Sequence, residues 1–211
     1  MFYNHIAGQS LDRLAALSDG IFAVAMTLLV LDLRVPVSSA INVQPLWVNG
    51  SLQSEYVLWS ALVHLLPNFI TYAMGFLTLG IFWIGQQTQL SHFARSDRNL
   101  TWMHIVFLLA ISLMPFSTGL LAANITYRLA LVIYWLNILL PGILLFGSMR
   151  YAWRMGLMKD DRASEVRSLN ERRIAISQVL YACGALLCVI NTYWSIAFIA
   201  LVQLFNLFIR W

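Results

Sequence analysis

The sequence predicts an all-α, polytopic membrane protein with six transmembrane helices, on three observations. First, 60% of the 211 residues are hydrophobic and only 10% are charged, with a mean hydropathy of +0.74. About a quarter of the residues of a soluble domain are charged, so this chain has too few polar residues to cover a water-facing surface. Second, the apolar residues are gathered into runs of about 20, the length that an α-helix needs to cross the hydrocarbon core of a bilayer. Third, lysine and arginine are distributed unevenly among the connections between these runs.

Six segments meet the length requirement, and we expect them to form a single six-span unit over residues 1–211. They cover approximately residues 13–33, 57–85, 102–123, 127–153, 174–191 and 193–209. The second and fourth segments contain Pro67 and Pro141, so a tilt or kink is expected in each. The fifth and sixth are separated only by the sequence NTYW, which predicts a tight helical hairpin.

The basic residues predict that both termini face the cytoplasm. In that orientation eleven of the 13 lysines and arginines lie inside, and two, Arg34 and Arg128, lie outside. Cytoplasmic loops carry an excess of basic residues, and the bias supports an even number of spans. Residues 154–173 alternate acidic and basic side chains, which predicts a solvated inner connector that can be partly helical, with an anion or lipid-headgroup site as the lesser alternative. Because the basic residues are spread along membrane edges, nucleic-acid binding is not expected.

The sequence contains none of the common catalytic or metal-binding signatures. HExxH, GxSxG, a phosphate-binding glycine loop and paired intramembrane carboxylates are absent. The four histidines, His5, His64, His92 and His104, lack the spacing of metal ligands. We therefore expect no enzymatic activity, no catalytic residue, no bound metal and no cofactor.

The first segment, RLAALSDGIFAVAMTLLVLDLRVP, carries charged residues close to or within a span. Ionisable groups in spanning helices cost about 2.5–3.5 kcal/mol each on insertion scales and usually face the protein interior. Arg13 and Asp19 are six residues apart, so their side chains point about 120° from one another and are not expected to pair. We expect Arg13, Ser18 and Asp19 each to bond to a neighbouring helix and so to lock the first span in place. A topological Arg13 and a capping Asp19 are the simpler alternative.

Two stripes continue along the same helix. A stripe of small residues, which allows close helix approach, comprises Ala16, Gly20, Ala23 and Thr27. A stripe of branched apolar residues comprises Val24, Leu28 and Leu31. On periodicity alone the second stripe is ordinary packing or lipid-facing surface, and Thr27 would bond a carbonyl of its own helix.

Two stretches of the chain resemble the transmembrane protein 175 family, which comprises endolysosomal potassium channels and their bacterial single-repeat relatives. RLAALSDG is similar to the RxxxFSD signature of that family, with Arg13, Ser18 and Asp19 matching and Leu17 in place of the usual Phe. Residues 82–118 are similar to the region of the second and third spans. The positions in register there are Trp83, Asp97, Pro115 and Phe116, while Gln86, Gln87 and His104 depart from the residues that are common in the family.

The resemblance implies a potassium-selective cation channel that assembles as a homotetramer, with the first span of each subunit around a central pore. Val24, Leu28 and Leu31 would form apolar rings that constrict and gate the pore, and Thr27 would supply the ion-selective oxygens. Arg13, Ser18 and Asp19 would anchor the pore helix. Supporting polar and aromatic contacts would come from Trp83, His104 and Asp97.

The same resemblance implies that potassium and other monovalent cations are the permeant ions and that the bilayer is the main partner. A single-repeat chain of this length is typical of the bacterial members, which implies a plasma-membrane location. Because there is no TVGYG-like sequence to supply rings of carbonyl oxygens, modest selectivity for potassium over sodium is expected.

Three other functions stay open at this point. A proton-coupled transporter or proton leak pathway could use Asp19 with His64 or His104 as a relay. Transporters usually show internal repeats with interrupted helices, and no convincing repeat relates residues 1–105 to 106–211. A membrane enzyme or lipid-handling protein lacks a catalytic constellation here. A structural membrane module would use the polar residues of the first span only for packing.

Overall fold

The computed structural model describes residues 10–34, 51–159 and 163–208, and its regular structure there is helical. The helices are α1 (Leu11–Leu28), α2 (Ser51–His64), α3 (Leu66–Ser91), α4 (Arg98–Ser112), α5 (Met114–Ala123), α6 (Arg128–Arg154), α7 (Ala163–Leu186) and α8 (Thr192–Phe208). Short 3-10 turns, Leu29–Asp32 and Leu187–Val189, extend α1 and α7. An isolated antiparallel bridge joins Phe93 to Met158 in the connections that follow α3 and α6.

Polar caps and prolines determine where several helices begin. Ser10 caps α1, since its hydroxyl accepts from the backbone N–H of Arg13 at 3.3 Å. Asp97 caps α4, where Oδ1 accepts from the backbone N–H of Leu100 at 2.8 Å. Pro67 and Pro115 lie in the first turns of α3 and α5, where the N–H that proline lacks would have no partner within the helix. The chain therefore breaks immediately before each proline.

Five helical units are long and apolar enough to cross a membrane. They are Leu11–Asp32, Leu66–Ser91, Arg98–Ala123, Arg128–Arg154 and Arg167–Val189. The sixth predicted segment coincides with a shorter apolar helix, Thr192–Asn206. The all-α membrane class is confirmed, while the number of six spans stays a prediction.

Two predicted segments differ from the structure in their limits. The segment 57–85 straddles the break at Leu65, and the spanning unit is α3, which runs to Ser91. The helix continues through the polar sequence QQTQLS because Gln86 and Gln89 are buried and hydrogen-bonded to other helices. The connector 154–173 is helical from Ala163 onward, so α7 begins there instead of at residue 174. Its charged first turns continue the same helix that enters the apolar region. In contrast, α6 continues through Pro141 without a break.

The helices pack around α3 and α6. Contacts join α6 to α4, α5 and α7, and α7 packs in turn on α8. On the other side, α3 contacts α1, α5 and α8. The largest side chains in the core include Phe22, Phe107 and Tyr134, each with 1% or less of its surface exposed. As a result, α1 lies at the edge of the bundle with one face on α3 and α4.

Buried polar side chains also join the helices. Gln203 on α8 donates through Nε2 to the Thr78 hydroxyl on α3 at 2.7 Å, and that hydroxyl lies 3.1 Å from the Tyr134 hydroxyl on α6. Gln89 on α3 donates to the Ser148 hydroxyl on α6 at 2.8 Å. Hydrogen bonds of this kind hold spanning helices together where lipid supplies no hydrophobic driving force.

The two ends of the bundle differ in charge. At one end, Leu14, Leu90, Leu100 and Met149 pack together, which brings the start of α1 beside the ends of α3 and α6. Most of the basic residues lie on helix ends and connections at this end. At the other end, Arg128 donates to the carbonyl of Val189 at 3.1 Å. Both termini lie outside the described residues, so their cytoplasmic location stays a prediction.

Candidate functional site on the first helix

The two faces of α1 have different surroundings. One face, formed by Leu14, Ser18, Phe22, Ala25 and Leu29, is buried against the rest of the chain. The predicted pore positions lie on the other face, and Val24, Thr27, Leu28 and Leu31 are all exposed. The exposed fractions of Val24 and Leu31 are 57% and 70%. The apolar stripe therefore makes little contact within its own chain.

Ser18 is joined to two other helices by a buried polar row. Its hydroxyl donates to the carbonyl of Leu14 at 2.8 Å and accepts from Nε2 of Gln86 at 3.0 Å. Nε2 of Gln86 also lies 3.3 Å from Nδ1 of His104 on α4. The His104 ring packs edge-on against Phe93 and Phe107, with centroids 6.2 and 6.4 Å away. This row fixes the rotation of α1 about its axis.

Asp19 is held by α3 at the border between the two faces. Its Oδ1 accepts from Nε1 of Trp83 at 2.8 Å and from Nε2 of Gln87 at 2.7 Å. Adjacent glutamines of α3, Gln86 and Gln87, thus hold the adjacent Ser18 and Asp19 of α1. Sequence reasoning treated both glutamines as departures from the family pattern and missed this role. Their position about one helical turn before the end of α3 was the available signal.

Arg13 and Asp97 lie outside this network. Arg13 is exposed, and within the described part of the chain its guanidinium has no hydrogen-bond or ion-pair partner. Its predicted contact with a neighbouring helix is not seen among the described residues and stays a prediction. Asp97 uses Oδ1 to cap α4, and its Oδ2 accepts from the Tyr151 hydroxyl on α6 at 2.6 Å. Asp97 thus stabilises the junction of α4 and α6 instead of contacting α1.

The C-terminal end of α1 and the 3-10 turn that follows it are positioned by close contacts with two glycines. A Cβ atom added at Gly75 would lie 2.8 Å from Oγ1 of Thr118 and 3.1 Å from Cδ2 of Leu29. A Cβ atom at Gly119 would lie 2.6 Å from Oδ2 of Asp32. A side chain at Gly75 would therefore displace the buried Thr118, and one at Gly119 would displace the carboxylate of Asp32 in the 3-10 turn that follows α1. Neither glycine was among the predicted site residues.

The exposed face of α1 borders an open apolar groove. Ala16, Leu17, Gly20, Val24, Leu28 and the α4 residue Ser112 line it. A Cβ atom added at Gly20 would meet nothing within 4 Å. The hydroxyl of Thr27 donates to the carbonyl of Val24 at 2.8 Å, as a threonine within a helix commonly does. The small-residue stripe thus has no packing partner in the described part of this chain.

Among the described residues, no group of three or more His, Cys, Asp or Glu side chains is placed to hold a metal ion. The polar groups near α1 are amides, an indole, a hydroxyl and a carboxylate. This arrangement can orient a helix and present a partly exposed charge.

Comparison with known proteins shows a match in sequence and in fold. Residues 13–115 match the family model described as the endosomal/lysosomal potassium channel TMEM175. A protein of Streptomyces collinus named as a potassium channel is 34% identical over 110 residues, which are 52% of this chain and 47% of that protein. A protein of Chamaesiphon minutus, also named as a potassium channel, is 29% identical over 120 residues, or 57% of this chain and 53% of that protein. The chain therefore spans about half the length of the curated relatives it matches.

The solved structures provide a match over nearly the whole chain. The crystal structure of a lysosomal potassium-selective channel TMEM175 homolog from Chamaesiphon minutus covers 93% of this chain and 96% of its own, with a TM-score of 0.76 and 23% sequence identity. At this identity the likeness establishes the fold. The matched family and the named relatives are channels and not enzymes, which agrees with the predicted lack of enzymatic activity. The similarity to the TMEM175 family predicted from the RLAALSDG signature is thus confirmed, by sequence over residues 13–115 and by fold over nearly the whole chain.

Proposed function

We propose that this chain is one subunit of a potassium-selective cation channel that conducts passively through a central pore lined by α1. The subunits form a homotetramer in the bacterial plasma membrane, each with six spans and with both termini in the cytoplasm. The names of the relatives and the match to the TMEM175 family support this proposal.

One observation carries the proposal: α1 has charged side chains that the rest of its own chain leaves exposed. Asp19 and Arg13 are both exposed, although they belong to a helical unit that is apolar enough to cross a membrane. Facing lipid there would cost about 2.5–3.5 kcal/mol for each charge. Water in a pore, or a neighbouring subunit, removes that cost. A single chain contributes one such helix, so an axial pore requires several copies around a closed symmetry axis.

The apolar stripe supports a constriction in the outer half of the pore. Val24, Leu28 and Leu31 are exposed on successive turns, so copies around an axis form three apolar rings. Rings of this kind gate channels by excluding water. Val24 is smaller than the leucine one turn later, and Leu28 therefore carries more of the closure.

Thr27 lies between these rings and supplies oxygen atoms to the ion. Because its hydroxyl donates its hydrogen to the carbonyl of Val24, the oxygen lone pairs point away from the helix and are free to replace part of the hydration shell of a cation. A few hydroxyl oxygens discriminate less than stacked carbonyl rings, so selectivity is modest.

The contacts of Asp19 favour a channel over a proton-coupled transporter. Asp19 binds Trp83 and Gln87, and no hydrogen bond joins it to a histidine among the described residues. His104 is buried and is reached through Gln86 instead. A relay from Asp19 to His104 would have to rearrange both sets of contacts.

The test is the reversal potential of the purified protein in a planar bilayer with potassium on one side and sodium on the other. We expect the current to reverse toward the potassium equilibrium potential. Thr27→Val removes the hydroxyl at constant volume and should weaken selectivity, while the matched control Thr27→Ser keeps the hydroxyl and should preserve it. The absence of current together with a flux driven by a pH gradient, which Asp19→Asn abolishes, would replace the channel with the proton-coupled function.

A further inference from the structure

A groove at the basic end of the bundle combines cationic and apolar side chains. It runs between the end of α3 and the first turns of α7. Its walls include His92 from α3 and Leu169, Asn170, Arg172, Arg173 and Ile176 from α7. The groove lies apart from α1 and from the proposed pore.

The arginines of this groove are not neutralised by the described acidic residues. In that part of the chain the ion pair that forms is Arg167–Glu171, with Nε to Oε1 at 2.7 Å. The Arg167 guanidinium also lies 4.2 Å from the centre of the Trp153 ring. Glu171, the acidic residue next to Arg172 in sequence, is therefore already compensated by another cation. Arg172 and Arg173 leave the groove with a positive potential.

The remaining wall is apolar and open. Leu169 has 62% of its surface exposed. Ile176 follows two turns further along α7, in the direction of the membrane interior. Arg173 is half-buried, so its stem lies along the groove while the guanidinium reaches the polar edge. Arg172 and Arg173 lie between these two apolar residues, so the groove presents its cationic groups within about one helical turn of Leu169 on one side and of Ile176 on the other.

A second cavity extends the same path inward. Asn170 and Arg173 also line a narrow cavity among α3, α6, α7 and α8, whose deeper walls include Phe82 and Leu145. Oε1 of Gln178 is buried there without a hydrogen-bond partner among the described residues. A ligand at this position would meet positive charge first and apolar surface beyond it.

We propose that this groove binds an anionic phospholipid of the adjacent leaflet. The headgroup phosphate lies between the guanidinium groups of Arg172 and Arg173, which can each donate two parallel hydrogen bonds to it. The first part of an acyl chain lies against Ile176, about one turn beyond the arginines along α7. Basic pockets at the ends of spanning helices bind anionic headgroups in this way, and a zwitterionic lipid would leave the positive potential unbalanced. The site requires insertion in a membrane and does not require that the protein conducts.

The experiment measures retained lipid on the full chain by native mass spectrometry, after equilibration with equal amounts of phosphatidylglycerol and phosphatidylcholine. We expect the wild type to retain phosphatidylglycerol preferentially. Arg172→Gln with Arg173→Gln should lower that affinity by about tenfold. The matched control, Arg95→Gln with Arg154→Gln, removes the same charge from exposed positions outside the groove and should retain the lipid.

Two further measurements separate a lipid site from a site for free anions. Ile176→Asn keeps both arginines but disrupts the apolar wall, so it should weaken phosphatidylglycerol retention. Inorganic phosphate, added at the same concentration, should not displace the lipid. If phosphate displaces phosphatidylglycerol and Ile176→Asn retains as much of this lipid as the wild type, the groove is a simple anion site and the lipid assignment is overturned.

Equal retention of the two lipids by the wild type would overturn the proposal altogether, whatever the variants do. If the size-exclusion profile shows that the double variant does not fold like the wild type, the salt dependence of lipid retention by the wild type is measured instead. Preferential retention must fall between low and high ionic strength, because the attraction is partly screened. A preference that does not change with salt would contradict a site based on Arg172 and Arg173.

Discussion

The buried and exposed faces of α1 differ in chemistry although they belong to the same helix. The buried face contacts α3 and α4 through Phe22, Ala25 and Leu29, and Ser18 adds a buried hydrogen bond to α3. The exposed face carries branched apolar residues, an unpacked glycine at position 20 and a threonine bonded to its own helix. Packing within one chain explains which residues form the first face. The composition of the second face must instead be explained by what surrounds it in the membrane, which we propose to be a pore and neighbouring subunits.

The largest expected effect concerns the buried face. Phe22→Ala should lower the free energy of unfolding by about 3–5 kcal/mol, because it leaves a cavity beside Phe107, whose ring centroid lies 6.1 Å away. The measurement is the midpoint of thermal unfolding in detergent. Val24→Ala on the exposed face is the matched control and should shift the midpoint little. Equal losses for both variants would show that the two faces are packed alike.

The next effect concerns the close approach at the outer end of α1. Gly119→Ala should destabilise the protein by about 1–3 kcal/mol, because the new Cβ would overlap the carboxylate of Asp32. It should also raise the accessibility of the 3-10 turn to hydrogen exchange. Gly80→Ala, where an added Cβ meets nothing within 4 Å, should not destabilise the protein, because alanine is favoured over glycine inside a helix, and should leave the exchange of the turn unchanged. Unchanged exchange in Gly119→Ala would mean that the turn does not depend on this contact.

A smaller effect is expected at the border between the faces. Asp19→Asn keeps an acceptor for Trp83 and Gln87 but replaces charge-assisted hydrogen bonds with neutral ones, which costs about 1 kcal/mol. We expect altered assembly or gating and an unchanged potassium-to-sodium permeability ratio. Mass photometry measures assembly, and bilayer currents measure gating and the permeability ratio. A double-mutant cycle with Gln87→Leu should show coupling, and a normal oligomer with an altered permeability ratio alone would reject the anchoring role.

The smallest effect on stability is expected at the exposed stripe, although the functional change is large. Leu28→Ala should leave the unfolding midpoint almost unchanged and increase the single-channel current, because it widens an apolar ring. The control, Leu109→Ala, alters an exposed leucine of α4 and should leave the current unchanged. If the single-channel current of Leu28→Ala equals that of the wild type, Leu28 does not form the constriction.

The membrane class and most of the helices followed from hydropathy and helix period, because a bilayer requires long apolar runs with internal hydrogen bonding. Proline positions predicted disturbances in two spans, but only the structure distinguished Pro67, which begins a new helix after a break, from Pro141, which lies within a continuous one. The charged start of α7 was predicted as a connector because hydropathy averages cannot separate a polar helical turn from a polar loop.

The residues of α1 with unusual character could likewise be identified from the sequence, since a charge or a small residue in a span departs from the average composition. Their partners could not. Trp83 and Gln87 lie 64 and 68 residues from Asp19 in the chain, and no local rule specifies which atoms meet across that distance.

The sequence by itself determined that this chain enters a membrane and that α1 differs from the other spans in its charged and small residues. Only the tertiary structure decided that Ser18 and Asp19 bind α3 and that two glycines lie against the 3-10 turn that follows α1. The reason is physical: insertion depends on the composition of each segment, whereas these contacts depend on the rotation and spacing of helices, which all segments decide together.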